Sequence, residues 1–99
     1  MDNSYQLSWN IVNPETWEVE ATGECTYNAD TSLGAYLFAE FKAKQMLEAD
    51  FPQYVEFAES DTAVLVAEAE EWGQALDENS ILSEKLLDYI DIKVKQIVY

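Results

Sequence analysis

Carboxylates dominate the reactive chemistry of this chain: 20 Asp and Glu stand against 5 Lys, with no Arg and no His, for a formal charge of −15 over 99 residues. Paired carboxylates can do acid–base work, as in glycoside hydrolysis. With acids this abundant a suitable pair carries no information, and a chain this short has little material for a deep sugar cleft. Glu68-Glu70-Glu71 and Asp77-Glu78 are oxygen-rich enough to attract a hard cation, but the alternating acids and central glycine of a calcium loop are absent. Gly23, Gly34 and Gly73 do not build a phosphate-cradling loop, since no Lys follows any of them at the required spacing. Cys25, the single cysteine, has no His to take its proton and reads as a small, partly buried strand residue. The expectation is a non-enzyme with no catalytic, cofactor-binding or metal-ligating residues.

What remains to be explained is the arrangement of the acids. On an ordinary solvated helix face, Lys or Arg one turn away offsets each acid, adding a few tenths of a kcal/mol per pair. Here Glu68 and Glu71 are three apart, Glu84 and Asp88 four apart, and Asp88 and Asp91 three apart, all like-charge neighbours. Between Glu48 and Asp91 there are 13 acids and one base, Lys85; residues 1–41 carry seven acids and no base. Carboxylates on a strand lie about 6.8 Å apart at i,i+2, and helical neighbours about 5–6 Å apart. Both spacings are comparable with the separation of successive phosphates along a nucleic-acid strand.

In charge, size and aromatic content the chain resembles the class of acidic DNA-mimic inhibitors, including phage and plasmid proteins that block restriction or CRISPR nucleases. No motif places it in a particular family. The resemblance implies a non-enzymatic inhibitor that occupies the nucleic-acid site of a basic protein such as a nuclease. The expected contact residues are Glu18, Glu20, Glu24, Glu68, Glu70, Glu71, Glu84 and Asp88. The competing reading is an acidic adaptor or assembly protein that binds a protein through an aromatic patch, with Tyr36, Tyr54, Trp72 and Tyr99 as its candidates. Adaptation of the whole surface to high salt is a third. A homodimer is compatible with each.

The elements that must position these acids follow from periodicity. The length allows one small domain. A 48% apolar share with 3 Trp, 6 Tyr and 4 Phe is far too rich for a disordered chain. Residues 5–27 alternate like a β-hairpin around Asn13-Pro14-Glu15-Thr16, with Tyr5, Leu7, Trp9 and Ile11 on one face. Joining that face to Trp17, Val19 and Ala21 sets Ile11 opposite Trp17 and Trp9 opposite Val19, across a loop from Val12 to Thr16. The outer face then aligns Glu18, Glu20 and Glu24 with Asn10, Ser8 and Ser4, a row of unpaired carboxylates.

Asp30-Thr31-Ser32 caps a helix running from Leu33 to about Glu48, with Leu33, Leu37 and Leu47 on one stripe, and Pro52 ends it. Gln53 to Glu59 alternates like a third strand. Ser60-Asp61-Thr62 caps a helix over 62–77 with Leu65, Ala69, Trp72 and Leu76 in line. Leu82, Leu86, Tyr89 and Ile90 form another helical stripe, and Ile92 to Tyr99 alternates like a final strand. The expected fold is α+β, a single domain over 1–99 in which an antiparallel sheet with an N-terminal hairpin packs against helices, in the order β-β-α-β-α-α-β.

Without Arg, and with Lys only at 42, 44, 85, 93 and 95, the chain cannot lay a cationic track along phosphates, which excludes ordinary nucleic-acid binding. An anionic membrane repels it for the same reason, and no apolar run approaches the roughly 20 residues of a spanning helix. The acidic, polar start MDNSYQLSWN is unlike a secretory signal, and a lone cysteine suits a reducing compartment. The expected location is the cytoplasm, that of the host if a phage encodes the protein.

Overall fold

The computed structural model describes residues 3–98. Strands β1 (Asn3–Val12) and β2 (Val19–Ala29) are followed by helices α1 (Ser32–Asp50), α2 (Pro52–Glu71) and α3 (Glu78–Leu87), and then by strand β3 (Ile90–Gln96). The sheet is antiparallel with strand order β2-β1-β3, so the first strand lies at its centre. This is the expected α+β architecture with one element changed, since the order is β-β-α-α-α-β.

The changed element is the segment 53–59, which is helix and not a strand. Its alternation is real, but Tyr54 and Ala58 also sit one helical turn apart, and both are buried. Pro52 decides between the two patterns. It occupies the first helical position, where its missing N–H costs nothing and its fixed φ favours the helix, so it both stops α1 and starts α2. Ser60-Asp61-Thr62 therefore falls inside α2. The Thr62 hydroxyl, buried there, donates to the Ala58 carbonyl at 2.8 Å instead of capping anything. The helix expected over 62–77 stops at Glu71. Trp72, in line with Leu65, Ala69 and Leu76 in the expected helix, is 83% exposed, and Leu65 and Leu76 are exposed as well.

The cap expected at Asp30-Thr31-Ser32 forms, and Asp77 supplies one that was not expected. The Thr31 hydroxyl accepts from the Gly34 N–H at 3.1 Å to open α1. The Asp77 carboxylate accepts from Asn79 N–H at 3.0 Å and from the Ser80 hydroxyl at 3.0 Å to open α3. On α1 the buried stripe is Ala35, Ala39, Ala43 and Leu47, while Leu33 and Leu37 face outward. Three alanines at i,i+4 spacing let the helix approach the sheet closely, and the large side chains of β1 (Tyr5, Leu7 and Trp9) fill the layer between. Tyr27 of β2 stacks on Phe38 of α1 with ring centroids 3.9 Å apart. A second cluster joins Ile11 and Leu47 to Tyr54 and Ala58 of α2, to Leu86 of α3 and to Tyr89. Leu7, Ile11 and Leu47 are fully buried, each contributing about 1.5–3 kcal/mol by removal from water.

The hairpin register slides by four positions from the expected one: Ile11 faces Ala21 where Trp17 was expected, and Trp9 faces Gly23 where Val19 was expected. An even slide keeps every side chain on its face. Its cause is the Trp9 indole, which lies so close over Gly23 that a Cβ there would meet Cζ2 at 2.6 Å and Nε1 and Cε2 closer still. Only a residue without a side chain can stand opposite. The extra residues go into a wider turn over 13–18, where the Asn13 side-chain oxygen accepts from Glu15 N–H at 2.9 Å and Trp17 adopts φ 63°. Val12 pairs with Val19, which leaves Glu20 as the extra residue of a bulge.

The molecule extends 55 × 30 × 20 Å, and its radius of gyration of 15.9 Å exceeds the roughly 13 Å of a compact 100-residue domain. Helix α2 packs chiefly on α3.

Candidate functional site

Every one of the eight expected contact acids is exposed, but they do not form one row. Glu18 lies in the hairpin turn. Glu20, displaced by the bulge, leaves the outer face and accepts a 2.6 Å hydrogen bond from the Tyr54 hydroxyl of α2. Glu24 alone stands on the uncovered face of the sheet as expected, but opposite Ser8 where Ser4 was expected, and Ser8 in turn faces Lys93 on β3. Gln6, Ser8, Glu24, Lys93 and Lys95 share a shallow depression there, so this face carries both charges. The unpaired carboxylate row expected on the hairpin is corrected to a single acid beside two lysines.

The helical acids hold together better. Glu68, Glu70 and Glu71 close the last turn of α2, and Glu48 and Asp50 close the last turn of α1. Neither turn contains a base. The C-terminal end of a helix carries partial negative charge, so an acid there costs about 0.3–1 kcal/mol. Glu84 and Asp88 flank a groove between α2 and α3 lined by Leu65, Leu76 and Ile81, and Lys85 shares it with them. Among the described residues the one ion pair joins Lys44 to Glu40 at 2.8 Å, and the same ammonium donates to the Ser83 hydroxyl at 2.6 Å, tying α1 to α3.

A cleft of roughly 610 Å³ opens where the hairpin turn, α2 and the α3–β3 junction meet. Its walls combine three acids, Glu15, Asp61 and Asp88, with three aromatic rings, Tyr54, Phe57 and Tyr89. Tyr54 and Tyr89 stack with centroids 5.0 Å apart. The Glu20 hydrogen bond, with burial and then the charges of Glu20, Tyr89 and Glu15, pushes the Tyr54 phenol up to about 12. Burial raises the Tyr89 phenol too, reinforced by Asp61 and Asp88. Of this group only Asp88 was an expected contact. Reading 53–59 as helix exposes the signal that was missed, because Tyr54, Phe57 and Asp61 at i, i+3 and i+7 fall on one face.

Of the adaptor's aromatic candidates, Tyr36 and Trp72 are exposed and Tyr54 is buried in the core; Tyr99 lies outside the described residues. Leu33, Leu37 and Phe41 form an exposed apolar ridge along α1. Cys25 is half-buried and packs against the core. Among the described residues no group of three or more acid or cysteine side chains converges as a metal site, and no helix is long and apolar enough to cross a membrane. Compared with known protein families, curated proteins and solved structures, the chain shows no significant match to any.

Proposed function

We propose that the protein is a non-enzymatic inhibitor that presents carboxylates where nucleic acid presents phosphates, and so blocks the DNA- or RNA-binding site of a basic protein. A nuclease of a restriction or CRISPR system is the target class that suits it, with the cytoplasm as the setting. The observation that carries this reading is the siting of acids where they destabilise their own fold. They crowd the C-terminal turns of α1 and α2, and the one ion pair among the described residues, Lys44 with Glu40, reaches none of them. Charges held against their own helix dipoles are accounted for when the compensating cations belong to a partner. Direct binding to nucleic acid has no support, since the acids repel phosphate.

The test is displacement of labelled DNA or RNA from a captured basic partner, run across a salt series. Inhibition weakens steeply as salt rises, because screening acts over about 8 Å at physiological ionic strength. The triple variant Glu68→Gln, Glu70→Gln, Glu71→Gln retains the fold and loses inhibition. Undiminished displacement by that variant, at an affinity indifferent to salt, refutes the reading. The exposed ridge of Leu33, Leu37 and Phe41 favours a second reading, the adaptor, for which Leu37→Ser abolishes partner capture and the triple Gln variant does not.

A further inference from the structure

The cleft between the hairpin turn, α2 and the α3–β3 junction has the chemistry of a receptor for one side chain. Three carboxylates, Glu15, Asp61 and Asp88, supply acceptors from three different elements, and the rings of Tyr54, Phe57 and Tyr89 supply flat apolar faces between them. Tyr54 stacks with both Phe51 and Tyr89 and both tyrosines are buried, so the ring face open to an occupant is that of the exposed Phe57, tilted 43° from Tyr54. One polar group is left over. Tyr89 is only 7% exposed, yet its hydroxyl has no hydrogen-bond partner among the described residues, whereas the Tyr54 hydroxyl is held by Glu20. That oxygen is not sealed from solvent, since among the described residues the fully buried unpartnered side-chain atom is Trp9 Nε1, and it is free to accept from an occupant of the cleft.

We propose that this cleft receives an arginine side chain of the protein partner. The occupant is a cation, because the ionisable groups of the lining are acids and phenols. A metal ion is disfavoured, since among the described residues no three acids converge closely enough to coordinate one. The occupant is flat, because the exposed Phe57 ring lines the space and a guanidinium stacks on such a face while its edge donates to carboxylates. The Tyr89 oxygen accepts one of the remaining N–H groups. Phe57, 57% exposed at the mouth with Tyr54 as its aromatic neighbour, gains a second contact when the methylene stem of the arginine lies along it. The inference rests on the inhibitor reading in taking the partner to be a basic protein, and it names the point at which a phosphate-binding arginine would be captured.

The probe is N-acetyl-arginine methylamide, titrated into the full chain and followed through the ring proton resonances of Phe57 and Tyr89. Saturating shifts of both rings are expected, with none from the neutral citrulline analogue. Asp61→Asn and Phe57→Ala, both at exposed positions, each weaken binding by about five-fold, roughly the value of one such contact, and Glu70→Gln leaves it unchanged. Equal binding of citrulline, equal binding of the lysine analogue, or shifts that ignore Asp61→Asn overturn the proposal. An absent response to arginine in a chain that still displaces nucleic acid removes this cleft and leaves the inhibitor standing. An Asp61-dependent response in a chain that displaces nothing upholds the cleft and removes the inhibitor.

Discussion

Replacing Gly23 by Ala sets two effects of opposite sign against each other, and the structure decides between them. A glycine in a strand is entropically costly, so the change gains about 0.4–1 kcal/mol wherever the new methyl group fits. Here the methyl carbon would stand 2.6 Å from Trp9 Cζ2 and closer to two more atoms of the same ring. The ring cannot retreat freely, because Trp9 is 7% exposed and packed in the cluster of Ala35, Ala39 and Ala43. Overpacking of this kind costs about 1–3 kcal/mol, and expelling the indole altogether costs about 3–5. The net expectation is a loss of about 2 kcal/mol, or a fall in Tm of about 10 °C for a domain of this size. Urea unfolding followed by tryptophan fluorescence measures it. The same substitution in a Trp9→Phe background, where the ring is shorter, is neutral or stabilising. A Gly23→Ala protein as stable as the parent, or a loss of equal size in both backgrounds, refutes the argument that the indole dictates the register.

The Tyr54 phenol is raised to about 12, above its unfolded value of about 10, so the stability it contributes is fully present below pH 10 and is lost as pH rises through about 12. Tyr54→Phe removes the bond to Glu20, costs about 1 kcal/mol at neutral pH and flattens that alkaline branch, as denaturant unfolding between about pH 8 and 12 reads out. Added salt near neutral pH raises the Tm of the free protein, because screening relieves carboxylate repulsion that a lone internal ion pair does not offset among the described residues. A melting temperature that stays constant from low to high salt contradicts this.

Much of the architecture was legible because local chemistry and long-range packing agree in it. Thr31 caps a helix in the structure as its side chain suggests in the sequence, and Tyr5, Leu7, Trp9 and Ile11 share the buried face that their alternation implies. The errors arose where one pattern served two structures. Tyr54, Val55 and Phe57 alternate, yet Tyr54 and Ala58 are also helical neighbours, and only the role of Pro52 as a helix starter separates the cases. The parity of the hairpin was readable and its slide was not, since the slide depends on how an indole fits against a glycine across the ladder. For the acids, net excess was plain and grouping was not. A bulge turns Glu20 toward Tyr54, and the third strand brings Lys93 and Lys95 near Glu24. The aromatic and acidic cleft draws Glu15, Asp61 and Asp88 from three separate elements, so no window of sequence contains it.

The central position of β1 bears on how the protein is made. Its partner β2 follows at once in the sequence, so the hairpin can form as soon as both strands have left the ribosome. Its other partner does not exist until Ile90–Gln96 has been translated, when Val94 finally reaches Leu7. Throughout that interval one edge of β1 is bare, with unpaired backbone groups and Tyr5, Leu7 and Trp9 only partly roofed, the form in which strands join wrong neighbours. The net charge of −15 then acts on the nascent chain as well. It holds unfinished copies on neighbouring ribosomes apart until β3 docks and closes the edge.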